Sequence, residues 1–304
     1  MSLRYRLEYA ALRIAWAVIC ALPAKWAYPL GALLGDGWYR LDFSRRRIAK
    51  TNLLRTGVAA SSREASRIAR ASFRHFAGHV MESVRIQSVL TAENWRDYLE
   101  IEAPEESIKM LVAAEPPVLL VTGHLGSWEV AGLWLSFFRP VYAIARPMNN
   151  PLVQKFLERQ HLRSIHGMTF LPKAHAFTAE VIKEWGERRA AFTMLMDQHA
   201  GRSGIWMDVL GVPASVHTSP ARLHFMSGHP LLFGAFVRVG PLRYRVIVDA
   251  PIRMTPTHDR EQDTRKLIGD LSQRLDVLIR RYPEQYLWMH RRWRTTPAVV
   301  NSNQ

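Results

Sequence analysis

The residues of this chain best suited to chemistry lie in GHLGSWE, positions 123–129. The apolar run Val118-Leu119-Leu120-Val121 precedes it and reads as a parallel strand buried on both faces. On one ideal helix, residues five apart point about 140° away from each other. His124 and Glu129 therefore meet only if His124 lies on a turn and Glu129 in the first turns of a helix starting near Gly126. Gly123 and Gly126 permit such a turn, having no Cβ to restrict φ or crowd a ligand. An imidazole beside a carboxylate at the carboxyl end of a strand is the layout of a general base with its orienting group. The bare spacing is also met by a capped helix with an acid near its positive end and a histidine bonded to backbone. Only the rest of the chain can weigh these two readings.

The elements that must position these groups alternate. Strands are expected over 98–102, 118–121, 141–145, 191–196, 231–237 and 244–248. Helices are expected over 62–90, 127–138, from 151 to about 165, 175–185 and 260–281. Such alternation implies an α/β fold, a mainly parallel sheet covered by helices. Ligands then collect beyond the carboxyl ends of strands. His124, Arg146 and Asp197 each follow an expected strand, so one crevice can hold all three. His75 and His79 have a spacing that metals use, but no third ligand is evident, and core or surface histidines are expected.

At 304 residues the chain can bury a full core, and its single cysteine, Cys20, excludes a disulfide framework and a cysteine-based metal site. A formal charge of +15 calls for an anionic partner, either nucleic acid or an acidic lipid surface. Between residues 1 and 56 there are 10 Lys/Arg against 3 acids. Within that span, 14–24 and 26–35 are charge-free, separated only by Lys25. Each run is too short to cross a bilayer, and the joined pair would carry Lys25, Pro23 and Pro29. A cleaved signal peptide lacks a convincing cleavage site. The favoured expectation is an amphipathic helical anchor, partly inserted, with arginines on lipid phosphates; a buried helical hairpin is the alternative. The expected organisation is an anchor over 1–40 and one α/β domain over 41–304.

No G-x-S-x-G elbow, P-loop, H-E-x-x-H or paired C-x-x-C occurs, and no pattern of a nucleic-acid module. Without a covalent nucleophile beside His124, direct attack by a substrate hydroxyl suits what is present.

Several further segments join GHLGSWE in a fixed order: RRRIAKTN (45–52), ARPMNNP (145–151), LRS (162–164), MDQ (196–198), VLGVPA (209–214) and PEQYLWMHRRW (283–293). Together these motifs resemble the bacterial lipid A biosynthesis (late) acyltransferase family over about residues 5–297. The resemblance implies a glycerophosphate-acyltransferase-like fold and transfer of a fatty acyl chain from an acyl carrier protein or coenzyme A thioester to a glycolipid hydroxyl. It implies His124 as base, Glu129 as its partner, and Arg163 and Asp197 completing the catalytic polar site. Substrate contacts are expected from Arg146, Gln198, Ser127, Arg291 and Arg292, and oxyanion donors from turn amides near Gly126 and an arginine. The chain departs from the pattern at Ser127, where the family often has asparagine, and at Trp206-Met207-Asp208, where phenylalanines are usual.

The expected function is therefore acylation of a lipid A precursor at the cytoplasmic face of the inner membrane. No metal or cofactor is expected beyond the acyl-bearing co-substrate, and the anticipated partners are an anionic membrane surface and the glycolipid, not nucleic acid. Rival readings are an acyltransferase for another glycolipid such as a phosphatidylinositol mannoside, a thioesterase-like hydrolase, and a non-catalytic basic protein binding membrane or nucleic acid.

Overall fold

Four helices precede the first strand in the computed structural model, which describes residues 2–113, 115–161, 167–172 and 176–294. They are α1 (Leu3–Ala21), α2 (Ala24–Leu41), α3 (Phe43–Arg55) and α4 (Ser62–Ile86). The Ser2 hydroxyl caps α1 through the Tyr5 N–H, and no residue of α1 is buried. By contrast α2 is set into the fold. A Cβ on Gly31 would lie 2.6 Å from the Ala77 carbonyl oxygen, and one on Gly35 2.5 Å from that of Phe73. Glycines four apart thus let the backbones of α2 and α4 close on each other. Asp36, on the same turn, is bonded by Arg70 and Arg74 of α4.

Among the described residues no helix is long and apolar enough to cross a membrane. The N-terminal anchor in the expected fold is to that extent unsupported, and Lys25 and Pro29 lie inside α2, which packs along α4. The boundary expected at residue 40 falls in the last turn of that helix.

Then follow β1 (Leu99–Glu102), α5 (Glu105–Val112), β2 (Val118–Thr122), α6 (Trp128–Leu135), β3 (Val141–Ile144), α7 (Pro151–His161) and β4 (Met168–Leu171). The chain continues through α8 (Ala179–Glu187), β5 (Ala191–Leu195), the hairpin β6 (Ile205–Val209) and β7 (Val212–Val216), and α9 (Ser219–Ser227). It closes with β8 (Leu231–Gly240), β9 (Arg243–Val248) and α10 (Arg260–Arg281). Seven strands form one sheet in the order β1-β9-β8-β2-β5-β3-β4, and only the β8–β9 pair is antiparallel.

The mainly parallel, helix-covered α/β sheet is therefore as the sequence led us to expect. Its central strand explains why: Leu119 and Val121 enter the core beneath α10 and α4, while Val118 and Leu120 enter the core beneath α6 and α5. Period-two side chains meet apolar layers on both sides, so the run reads as continuous. Beyond the expected elements the fold adds α3, α5, α9, β4 and the β6–β7 hairpin.

Candidate active site

Strand register brings His124 to Asp197. β2 and β5 are parallel neighbours with Thr122 opposite Leu195, and the Met196 N–H continues the ladder to the Thr122 carbonyl at 3.0 Å. His124 and Asp197 each lie two residues past those partners, side by side at the carboxyl ends. The His124 Nδ1–H donates to Asp197 Oδ1 at 2.7 Å, and the His124 backbone N–H donates to Oδ2 at 2.9 Å. Nε2 is left as the acceptor of the neutral ring. It accepts from the exposed Gln198 amide, 3.3 Å away.

The turn that carries His124 is held on several sides. Gly126 has φ +69°, and a Cβ there would lie 2.0 Å from the Phe236 carbonyl oxygen of β8, so only glycine fits this approach. The Gly126 N–H donates to the Gln285 carbonyl, the Leu287 N–H to the His124 carbonyl, and His75 Nε2–H to the Gly126 carbonyl. Buried His75, pushed down to about 3 by desolvation and the neighbouring His79, stays neutral in that role. Arg292 donates through Nη1 to the Asp197 carbonyl and, at 3.3 Å, to the Tyr286 hydroxyl.

Burial alone would lower the pKa of His124. The charge and hydrogen bond of Asp197, helped by the charge of Glu129, outweigh it and hold the imidazole above its ordinary value. Burial likewise penalises the Asp197 carboxylate, yet His124 and Arg292 hold it well below the usual range. The pair thus has the arrangement of a base with an ionised orienting acid.

Several expected site residues stand elsewhere than the sequence reading put them. Glu129 makes no hydrogen bond to His124; its Oε2 accepts from Nε2–H of His79 on α4. The expected direct partner is thereby corrected to Asp197. Glu129 sits in the first turn of α6, and the Trp128 ring beside it packs 5.3 Å from His124 and 4.9 Å from His79. Arg292, expected at the substrate, is only 2 % exposed and lies behind Asp197. The turn amides expected as oxyanion donors are occupied: those of residues 125–127 bond to Gly123, Gln285 and Phe236. Ser127 is buried with its hydroxyl unpartnered among the described residues. Arg146 and Arg291 are exposed, and Arg163 lies outside the described residues.

The sequence reading missed His79 as a partner of Glu129 and His75 as a support of the turn. Their i, i+4 spacing pointed to a shared helix face, but nothing in the sequence said which loop that face meets. From Glu129 outward runs a groove of about 590 Å³ between α1, α4, α6 and α7, with Trp16, Leu90, Leu133, Phe137, Leu157 and Met168 among its walls. Its volume is in the range of small-molecule sites and its lining is largely apolar.

Residues 2–295 match the family model described as bacterial lipid A biosynthesis acyltransferase. The chain is similar to the lipid A biosynthesis palmitoleoyltransferase of Escherichia coli (strain K12), 27% identical over 313 residues that cover 98% of this chain and 94% of that protein. Similarity to a lipid A biosynthesis acyltransferase of Shigella flexneri has the same extent. The lipid A biosynthesis lauroyltransferase of E. coli is 24% identical over 316 residues, 98% of this chain and 95% of its own. The matches run along nearly the whole length of the α/β fold that pairs His124 with Asp197 at its strand tips, and the chain belongs to the bacterial lipid A biosynthesis acyltransferase family and is an acyltransferase.

Proposed function

We propose that the enzyme moves a fatty acyl chain from a thioester, carried on acyl carrier protein or coenzyme A, to a hydroxyl of a lipid A precursor. The observation that carries this reading is the Asp197-oriented imidazole of His124, whose Nε2 meets only the exposed Gln198 amide at the carboxyl ends of the strands. His124 Nε2 takes the hydroxyl proton as the acceptor oxygen attacks the thioester carbonyl. Asp197 holds the tautomer and stabilises the imidazolium. The tetrahedral intermediate collapses with cleavage of the carbon–sulfur bond, and the imidazolium returns its proton to the departing thiolate. With the turn amides occupied, the side-chain amide of Gln198 is the donor in reach of the developing oxyanion.

Glu129 acts on His124 through charge, and its carboxylate, 37 % exposed, faces the groove. That groove receives the acyl chain in this reading, with Leu133 and Phe137 in its wall. The neighbouring Trp134 is fully buried core instead. Arg146 and Arg291 supply exposed cations for the phosphorylated substrates, while Arg163 is retained as a site residue on its motif alone.

The exposed apolar side chains Leu7, Ile14 and Val18 of α1, with Trp26, Leu33 and Leu34 of α2, support association in the plane of a membrane rather than across it. The basic N-terminal third suits an anionic cytoplasmic leaflet, here that of the inner membrane. The testing experiment gives purified protein both thioester donors and the lipid A precursor in mixed micelles, with mass spectrometry of the products. An acylated glycolipid from wild type, absent with His124→Ala, is expected. Free fatty acid without an acylated lipid would replace this reading with the hydrolase.

A further inference from the structure

Some basic side chains at the surface of this protein are answered by an acid. Arg67 pairs with Glu284, Arg245 with Glu100, and Arg281 with Glu102. Many others are not, and in one place three of these gather around a single concavity. Arg47 of α3 converges with Arg291 and Arg294 of the C-terminal segment on a groove of about 550 Å³, whose wall also holds the hydroxyls of Ser44 and Thr51. None of the three guanidiniums has a carboxylate partner among the described residues. Three like charges set around one concavity repel each other, and an anion seated between them would relieve it.

The walls are fixed, so the arginines do not owe their convergence to loose side chains on a mobile loop. Asn52 Nδ2 donates to the Trp288 and His290 carbonyls, both at 2.9 Å. Arg45 Nη1 donates to the Met289 carbonyl at 3.2 Å, and Arg55 Nη1 to the Trp293 carbonyl at 3.0 Å. These bonds bolt α3 to residues 288–293, leaving Arg47 and Arg291 directed outward. Beside the cations the rim is apolar: Phe43 lines the groove at 67 % exposure and the adjoining Leu41 is 80 % exposed. Guanidinium forks and hydroxyls match the oxygens of a phosphate, and an exposed aromatic–aliphatic rim matches hydrocarbon.

We propose that this groove binds the phosphate group of an amphiphilic lipid, with Arg47, Arg291 and Arg294 as its ligands. The site is separate from the His124 crevice but joined to it, because Arg292, between two of those arginines, bonds the Asp197 carbonyl. A phosphate held here fixes one end of a lipid relative to the catalytic imidazole. The proposal rests on the glycolipid reading only for what carries that phosphate; the binding itself stands apart from acyl transfer.

The test is titration calorimetry of the full chain with three probes below their micelle concentrations: dihexanoyl phosphatidic acid, dihexanoyl phosphatidylcholine and inorganic phosphate. Charge-assisted bonds lost at two arginines predict that Arg47→Ala/Arg291→Ala weakens phosphatidic acid binding by about tenfold or more. Arg47→Lys/Arg291→Lys should fall between this variant and wild type, since charge survives without the fork. His124→Ala should bind the lipid like wild type, whatever becomes of acyl transfer. Equal affinity for the two lipids, or unaltered binding by the alanine pair at an unchanged melting temperature, overturns the site. Inorganic phosphate binding as tightly as phosphatidic acid overturns the amphiphile, and loss of binding in His124→Ala moves the phosphate to the catalytic crevice and overturns the proposal as well.

Discussion

Two histidine–carboxylate pairs flank the Trp128 ring, and they are built in opposite senses. At the strand tips the carboxylate is the hidden member: the Asp197 side chain is 2 % exposed and His124 reaches out at 16 %. Between α4 and α6 the imidazole is hidden: His79 is 0 % exposed and Glu129 reaches out at 37 %. In each pair the buried group can do little but orient its partner, because reaching solvent or substrate is closed to it. The exposed member is the one free to meet a ligand. His124 thus presents its imidazole Nε2 at the end of the sheet, and Glu129 presents its carboxylate toward the apolar groove. The backbones differ as well, since parallel strand register fixes the first pair while packing of two helices fixes the second.

The largest effect is expected from His124→Ala, which removes the proposed base and should lower kcat/KM by about 10⁴-fold, the upper end for proton transfer catalysis. A steady-state assay showing less than tenfold loss would take His124 out of the chemistry. Next comes Asp197→Asn. It keeps the shape but removes the ionised acceptor that holds Nδ1–H, and a loss of about 10²–10³-fold is expected.

Because the base works deprotonated, kcat/KM should rise with pH and level off only above 6.5, following the raised pKa of His124. In Asp197→Asn the largest raising influence is gone, so the inflection should move to lower pH even as the plateau drops. An inflection that stays in place would mean another group controls the limb.

Glu129→Gln should cost less, about 10–10²-fold, and shift the same inflection down by a smaller amount, since it acts on His124 through charge alone. A larger loss than Asp197→Asn would reverse the ranking of the two pairs. Smallest is His79→Gln, which leaves a donor for Glu129 in altered geometry and should reduce kcat by about tenfold or less. Since His79 lies off the reacting atoms, a changed KM for donors of different acyl length, with the pH inflection unmoved, would separate its positioning of Glu129 from simple loss of structure.

Much of the site could be read from the chain because its key residues are local to strand ends. Val118 to Val121 announced a doubly covered strand, Gly123 and Gly126 announced the turn, and Asp197 ended a second apolar run. What could not be read was which strands are neighbours. The order β8-β2-β5 places Asp197, distant in sequence, nearer to His124 than Glu129 is in bonding terms. The charge-free N-terminal runs were legible as helices, yet their different fates were not: α1 has no buried residue, while α2 closes on α4 through Gly31 and Gly35.

Residue types, spacing and periodicity alone determined the layered α/β architecture, the strand-tip histidine and the basic amino-terminal third, since each depends on interactions between near neighbours in the chain. Tertiary structure decided the pairing of charges: Asp197 with His124, His79 with Glu129, and Arg292 turned inward while Arg291 faces out. Hydrogen bonds act over about three ångströms, and only the folded arrangement of strands and helices brings groups from distant positions within that reach.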